Sequence, residues 1–109
     1  MAYDESLAAR VREVLAARAD VSERRMFGGL TFMVAGEMCC GVNGEELIVR
    51  LDHKESERAV HEPHARPMDF TKRPMRGFVT VELEGLQGAE LNRWVQRALD
   101  RVDLSHSRS

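Results

Sequence analysis

Four histidines and two adjacent cysteines are the side chains of this 109-residue sequence best suited to hold a metal or supply a nucleophile. His61 and His64 have the closest spacing of the histidines, three residues apart. Two ligands fall short of the four that a structural zinc site normally takes. Cys39 and Cys40 are neighbours in a segment of strand-like period. Their side chains are therefore expected on opposite faces of a sheet, where they cannot share one ion. A nucleophilic cysteine needs an activating histidine or a positive dipole close by, and the sequence offers no cysteine motif with such a partner. Both read as small buried hydrophobes. Ser22, His53 and Asp69 can be drawn as a triad, but such a set can be drawn from almost any chain. Gly28-Gly29 lacks the later glycine, the Lys-Ser/Thr pair and the following helix of a phosphate loop. It leads into a strand, which makes it a backbone requirement: positions where a side chain would clash or φ is unusual. The expectation is no catalytic residue, no cofactor and no metal.

Binding is better represented than catalysis. Arg66, Lys72, Arg73 and Arg76 share a segment with a single acid, Asp69, and with the apolar Met68, Phe70 and Met75. Pro67 and Pro74 bound the segment and lower the entropy that docking would cost. Arginine and exposed aromatics are the usual anchors of interfaces, so 66–76 reads as a basic loop that docks a partner protein or contacts phosphates. The bland alternative turns Phe70 and the methionines inward to close the core. Arg93, Arg97 and Arg101 recur every four residues on the last helix and read as a solvated stripe beside a buried one. The formal net charge of -2 and pI near 6.1 give no overall attraction to polyanions. Weak or absent nucleic-acid binding by the chain alone is expected.

The elements that must position these residues follow from period and punctuation. Leu7, Val11, Val14 and Leu15 lay one stripe on a helix expected over 4–19. The polar stretch 20–25 reads as a connection. Leu30, Phe32 and Val34 alternate in a first strand, 38–42 form a second and 46–51 a third. Asn43-Gly44 supplies the turn between the last two, since both residues tolerate the positive φ of a type I′ turn. That register pairs Cys40 with Leu47 and Met38 with Val49, placing Met38, Cys40, Val42, Leu47, Val49 and Leu51 on one buried side. Leu30 and Phe32 join them only if the turn at Ala35-Gly36-Glu37 holds three residues with a bulged Gly36; a two-residue turn would flip the first strand. Asp52 and Glu55 open a short helix ending before Pro63. The proline-punctuated stretch 61–76 is loop or edge structure with a short extra strand near 68–70, and 77–83 alternates again. Leu91, Trp94, Val95, Ala98, Leu99 and Val102 define the last helix.

The fold class is α+β, a mainly antiparallel sheet flanked by helices in the order α-β-β-β-α-β(-β)-α. The chain is long enough for one domain, 1–103, with 104–109 a disordered tail. No stretch approaches the roughly 18 apolar residues that span a bilayer. The N-terminus mixes acids with apolar residues unlike a signal peptide, so a cytoplasmic protein without membrane contact is expected.

Three separated runs, RRMFGGLTFMVAGEMCCGVNGEELIVRL, then ARPMDFTKRPMRGFVTV, then a closing amphipathic helix with Trp94, resemble the N-terminal domain of the TfoX/Sxy competence-regulator family. The resemblance runs from about Leu7 to about Leu99. Its signature falls on Arg25, Met26, Phe27, Gly28, Gly29, Arg66, Pro67, Met68, Asp69 and Phe70. It implies helices around a mainly antiparallel sheet and brings no catalytic residues. Full-length members resemble transcriptional co-regulators of natural competence and carry a second, helical C-terminal domain. The sequence ends where that domain would begin, so a stand-alone N-terminal domain is expected, and regulatory activity does not simply carry over. The resulting expectation is a non-catalytic regulatory or protein-interaction module with a protein partner. Self-association as a homodimer through a sheet edge or apolar face is one form of this. A nucleic-acid accessory protein using 66–76 comes second, and an enzyme a distant third.

Overall fold

The computed structural model describes residues 3–26, 28–70 and 73–107; the side chains of 69, 70, 73–75 and 107 lie outside that description. Helix α1 (Glu5–Leu15) starts where Asp4 accepts a hydrogen bond from the Leu7 amide, and buries Leu7, Ala8, Val11 and Leu15. It stops four residues short of the expected end, and the chain then enters a strand. Strands β1 (Val21–Met26), β2 (Gly29–Val34), β3 (Glu37–Asn43) and β4 (Glu46–Arg50) form an antiparallel meander. Helix α2 (His53–Ala59) follows, capped by Asp52, whose carboxylate accepts from the Glu55 amide at 2.9 Å. A hairpin of β5 (Ala65–Phe70) and β6 (Arg73–Val81), a 3-10 turn (Leu83–Leu86) and helix α3 (Glu90–Ser107) complete the chain. The six strands lie in the order β1-β2-β3-β4-β6-β5, every pair antiparallel. This is the expected α+β class with one more full strand at each end of the sheet.

Two of the departures concern edges. The stretch 20–25, read as a connection, is mostly edge strand β1. Ser22, Glu23, Arg24 and Arg25 are all exposed, so no alternation marks the strand. Charge on an edge is how sheets discourage foreign pairing, and it erases the period by which strands are read. The basic stretch 66–76 takes the edge form of its two readings, with the short strand expected near 68–70 lengthened to Ala65–Phe70 and paired as a hairpin with β6. Pro67 sits on the outer strand β5, and Pro74 in the part of β6 that extends past β4, where no neighbour on that side needs its missing N–H.

The first hairpin reaches the expected burial by another route. Ala35 (φ 53) and Gly36 (φ 81) make a two-residue turn, pairing Val34 with Glu37 and Met33 with Met38. Left alone, that turn would flip β2. A bulge at Cys39 restores the phase, so that Phe32 pairs with Cys40 and Leu30 with Val42. The bulge also corrects two expectations. Met38 leaves the main core for the opposite face, and Cys39 joins Cys40 inside it. The second hairpin turns through Gly44 and Glu45, pairing Cys40 with Val49 rather than Leu47. The shift of two residues keeps each β4 side chain on its expected face.

One core therefore lies between the helices and the sheet. It joins Leu30, Phe32, Val34, Val42, Leu47, Val49, Val79 and Val81 to Leu7, Val11, Leu91, Trp94, Val95 and Ala98. The other face carries a small second cluster of Met38, Ile48 and Met68, with Met33 and Phe78 packed on it and no helix contributing. Helix α3 runs on to Ser107, through the described part of the expected tail. No helix among the described residues is long and apolar enough to cross a membrane.

Candidate functional site

The arginines of α3 are structural. Arg97 reaches Glu55 at 3.0 Å and Glu62 at 2.9 Å, with its guanidinium 4.5 Å from the centre of the Trp94 ring. Arg93 meets Glu90 at 2.8 Å and stands 5.2 Å from the same ring. Arg101 reaches Glu37 and donates to the Met38 carbonyl, its side chain only 13% exposed. The solvated stripe expected from the period is instead a seam joining α3 to the α2 region and to β3. Its charges are already answered.

Among the partner-binding candidates, Arg66 is exposed but bound to Glu46 at 2.8 Å, which raises its affinity for its proton further. Met68 is buried in the second cluster, the inward alternative of the sequence reading. Arg76 is exposed. Lys72 lies outside the described residues, as do the side chains of Phe70, Arg73 and Met75. Of the family signature, Arg25 and Met26 end β1, Pro67 lies on β5 and Asp69 pairs in backbone register with Pro74; Phe27 lies outside the description. Gly28 has φ +75, and a Cβ on Gly29 would lie 2.3 Å from the Val42 carbonyl oxygen. Both readings of that glycine pair hold, one at each position.

Nucleophilic chemistry finds little geometry. Cys39 and Cys40 are fully buried side by side, and the neighbouring Cys39 thiol, with burial, pushes the Cys40 thiol up. The Ser56 hydroxyl, beside His53, donates to the His53 carbonyl rather than to its ring. His61 and His64 are exposed. Among the described residues no three His, Cys, Asp or Glu side chains converge as a metal site.

What the fold does assemble is a groove that the sequence reading missed. Where β4 ends at Arg50 and turns through Asp52 into α2, β6 passes alongside and the last turns of α3 close the far wall. The larger lobe, about 420 Å³, is lined by Arg50, His53, Arg76, Phe78, Asp100 and Leu104 among others. A smaller lobe of about 140 Å³ adds Ser56, Glu57, Val60 and Pro67. His53, Arg76, Gly77 and Phe78 line both lobes. Gly77 (φ +87) is required here, because a Cβ would lie 3.1 Å from the Leu51 carbonyl oxygen and 3.4 Å from the His53 ring. Arg50 places its guanidinium 5.9 Å from the Phe78 ring centre, directly across the β4–β6 pairing. Of its lining, only Arg76 had been marked from sequence as a partner-binding residue, with Pro67 as a signature position and His53 only in the unsupported triad. The one available signal for the rest was Leu104, an apolar residue two positions off the buried stripe of its helix.

A family model described as the TfoX N-terminal domain matches residues 13–102, most of the chain. No curated protein and no solved structure gives a match.

Proposed function

The chain belongs to the TfoX N-terminal domain family, and from that premise we propose that it is a non-catalytic regulatory module acting through contacts with another protein in competence-related control. The family match over most of the chain carries this reading. The site chemistry supports it: the groove combines charged side chains of both signs with apolar ones, whereas the thiols are buried and the Ser56 hydroxyl is committed to backbone. Self-association through the sheet edges finds less support, because β1 presents a run of exposed charge and polar side chains and β5 carries Pro67. The same reading assigns the protein to the cytoplasm, where a module of competence-related control would act. Affinity capture from the native cell, identification of the captured protein and reconstitution from purified components test the proposal. A defined complex is the expected result. Turnover of a substrate, or retardation of a DNA duplex with a steep salt slope in place of a protein complex, would overturn it.

A further inference from the structure

The protein-contact reading makes no use of the two free cysteines buried in β3. We propose that Cys39 and Cys40 are a redox-sensitive pair that closes to a disulfide between neighbours when the last turns of α3 lift, and that closure loosens the docking of those turns on β3.

In a regular strand adjacent side chains point to opposite faces, and neighbouring thiols cannot meet. The bulge at Cys39 removes that obstacle. Both thiols lie in the core between the sheet and the helices, each fully buried. The same bulge leaves Cys39 without a register partner on β2 or β4, so the ladder holds the 39–40 peptide less firmly than those around it. The two thiols are not equivalent. Cys40 beside it, and then the positive charges of Arg101 and Arg18, draw the Cys39 thiol down against burial and Asp103, whereas Cys40 is pushed up. Arg101 also keeps a buried Nε–H with no acceptor among the described residues, a donor suited to an anion forming in its field. Cys39 is therefore the attacking thiol and Cys40 the resolving one.

Access comes from the covering helix. Among the described residues Val102 is the last that α3 buries, and 103–106 are all exposed. Polar contacts hold this end to β3: Arg101 to Glu37 at 3.3 Å and to the Met38 carbonyl at 3.1 Å, and His106 to Glu37 at 2.8 Å. Partly exposed contacts of this kind open locally at less cost than global unfolding. Exchange with a low-molecular-weight disulfide then balances. The Cys39 thiolate attacks one of its sulfurs and expels a thiolate; Cys40, giving up its proton, attacks the Cys39 Sγ and expels the second. Two electrons and two protons leave the pair, and the small disulfide departs as two thiols. Neighbouring Cα atoms stand about 3.8 Å apart across a trans peptide, closer than the usual span of a disulfide. Such a bridge is strained and readily reduced, which suits a switch better than a permanent link. Its closure twists the peptide next to the Met38 carbonyl, the acceptor that Arg101 uses.

The test incubates the whole chain with oxidised glutathione and reads intact mass, peptide maps and backbone hydrogen exchange. The expected product is a single chain lighter by two hydrogens, with Cys39 joined to Cys40, that reverts in dithiothreitol. Exchange should rise at 99–106 while α1 and the β5–β6 hairpin keep their protection. Cys40→Ala should stop at a mixed disulfide on Cys39. Cys39→Ala should react about tenfold or more slowly, because the remaining thiol holds less thiolate. Closure rates in low urea report the route of access, and a slope well below that of global unfolding is expected. The proposal is overturned if the native chain keeps its reduced mass, or if it cross-links to a second chain instead. A closure slope equal to that of global unfolding, or a bridge that leaves exchange at the end of α3 unchanged, would overturn it as well. Should either variant melt lower, the mass and exchange of the wild-type chain decide the matter by themselves.

Discussion

Arg97→Ala removes the side chain that joins three parts of the molecule, and its cost can be built from the contacts. The guanidinium reaches carboxylates of Glu55 and Glu62 that are themselves 32% and 30% exposed. Solvent screening at that exposure holds each pair to about 0.5–1 kcal/mol. Stacking over Trp94 at 4.5 Å adds about 1 kcal/mol, because the Arg97 side chain is only 19% exposed. The expected loss is about 2–3 kcal/mol, a fall in Tm on the order of 10 °C for a domain of this size. Arg97→Lys keeps the charge but not the planar stack or the two-sided reach, and should lose roughly half as much. Urea unfolding followed by circular dichroism measures both, with repetition in 1 M salt. The ion-pair share should shrink there because the Debye length falls to about 3 Å, while the stacking share should persist. A loss below about 0.5 kcal/mol for Arg97→Ala, or an equal loss for the lysine variant, would refute the claim that the seam stabilises the docking of α3.

Trp94, 1% exposed beneath that seam, should cost about 3–5 kcal/mol when cut to alanine, read as the shift in denaturant midpoint. Gly29→Ala should destabilise by at least about 1–3 kcal/mol, since its Cβ would meet the Val42 carbonyl at 2.3 Å and backbone must move; unchanged thermal unfolding would contradict the β2–β3 spacing. Glu23 is held below the ordinary carboxylate range by its hydrogen bond from Arg12. The stability this linkage gives is present above the unfolded value of about 4.3 and is lost as pH falls through the lower folded value, so amides of β1 should lose hydrogen-exchange protection in acid, and Glu23→Gln should remove that dependence.

Much of the fold was legible because its signals are local. The stripe from Leu91 to Val102 needed only a period, and the helix start at Asp52 only a cap three residues before Glu55. Gly28-Gly29 could be read as a backbone requirement without knowing that Val42 would be the neighbour. Family membership was legible in the order of three runs. Edges were legible in part: the prolines of 61–76 marked edge structure with a short strand near 68–70, whereas β1 buries too little to show alternation and read as a connection. The bulge at Cys39 was invisible as well: a two-residue turn and a corrected register lead to the same buried Leu30 and Phe32 as a three-residue turn. The groove lay furthest from reach. Arg50, Arg76, Phe78 and Leu104 come from β4, β6 and α3, and no spacing in sequence relates them. Sequence alone fixes which residues prefer a helix, a turn or a buried face, since those preferences act over a few residues. Which arginines find a carboxylate depends on which elements meet, and that is decided only when distant parts of the chain pack against one another.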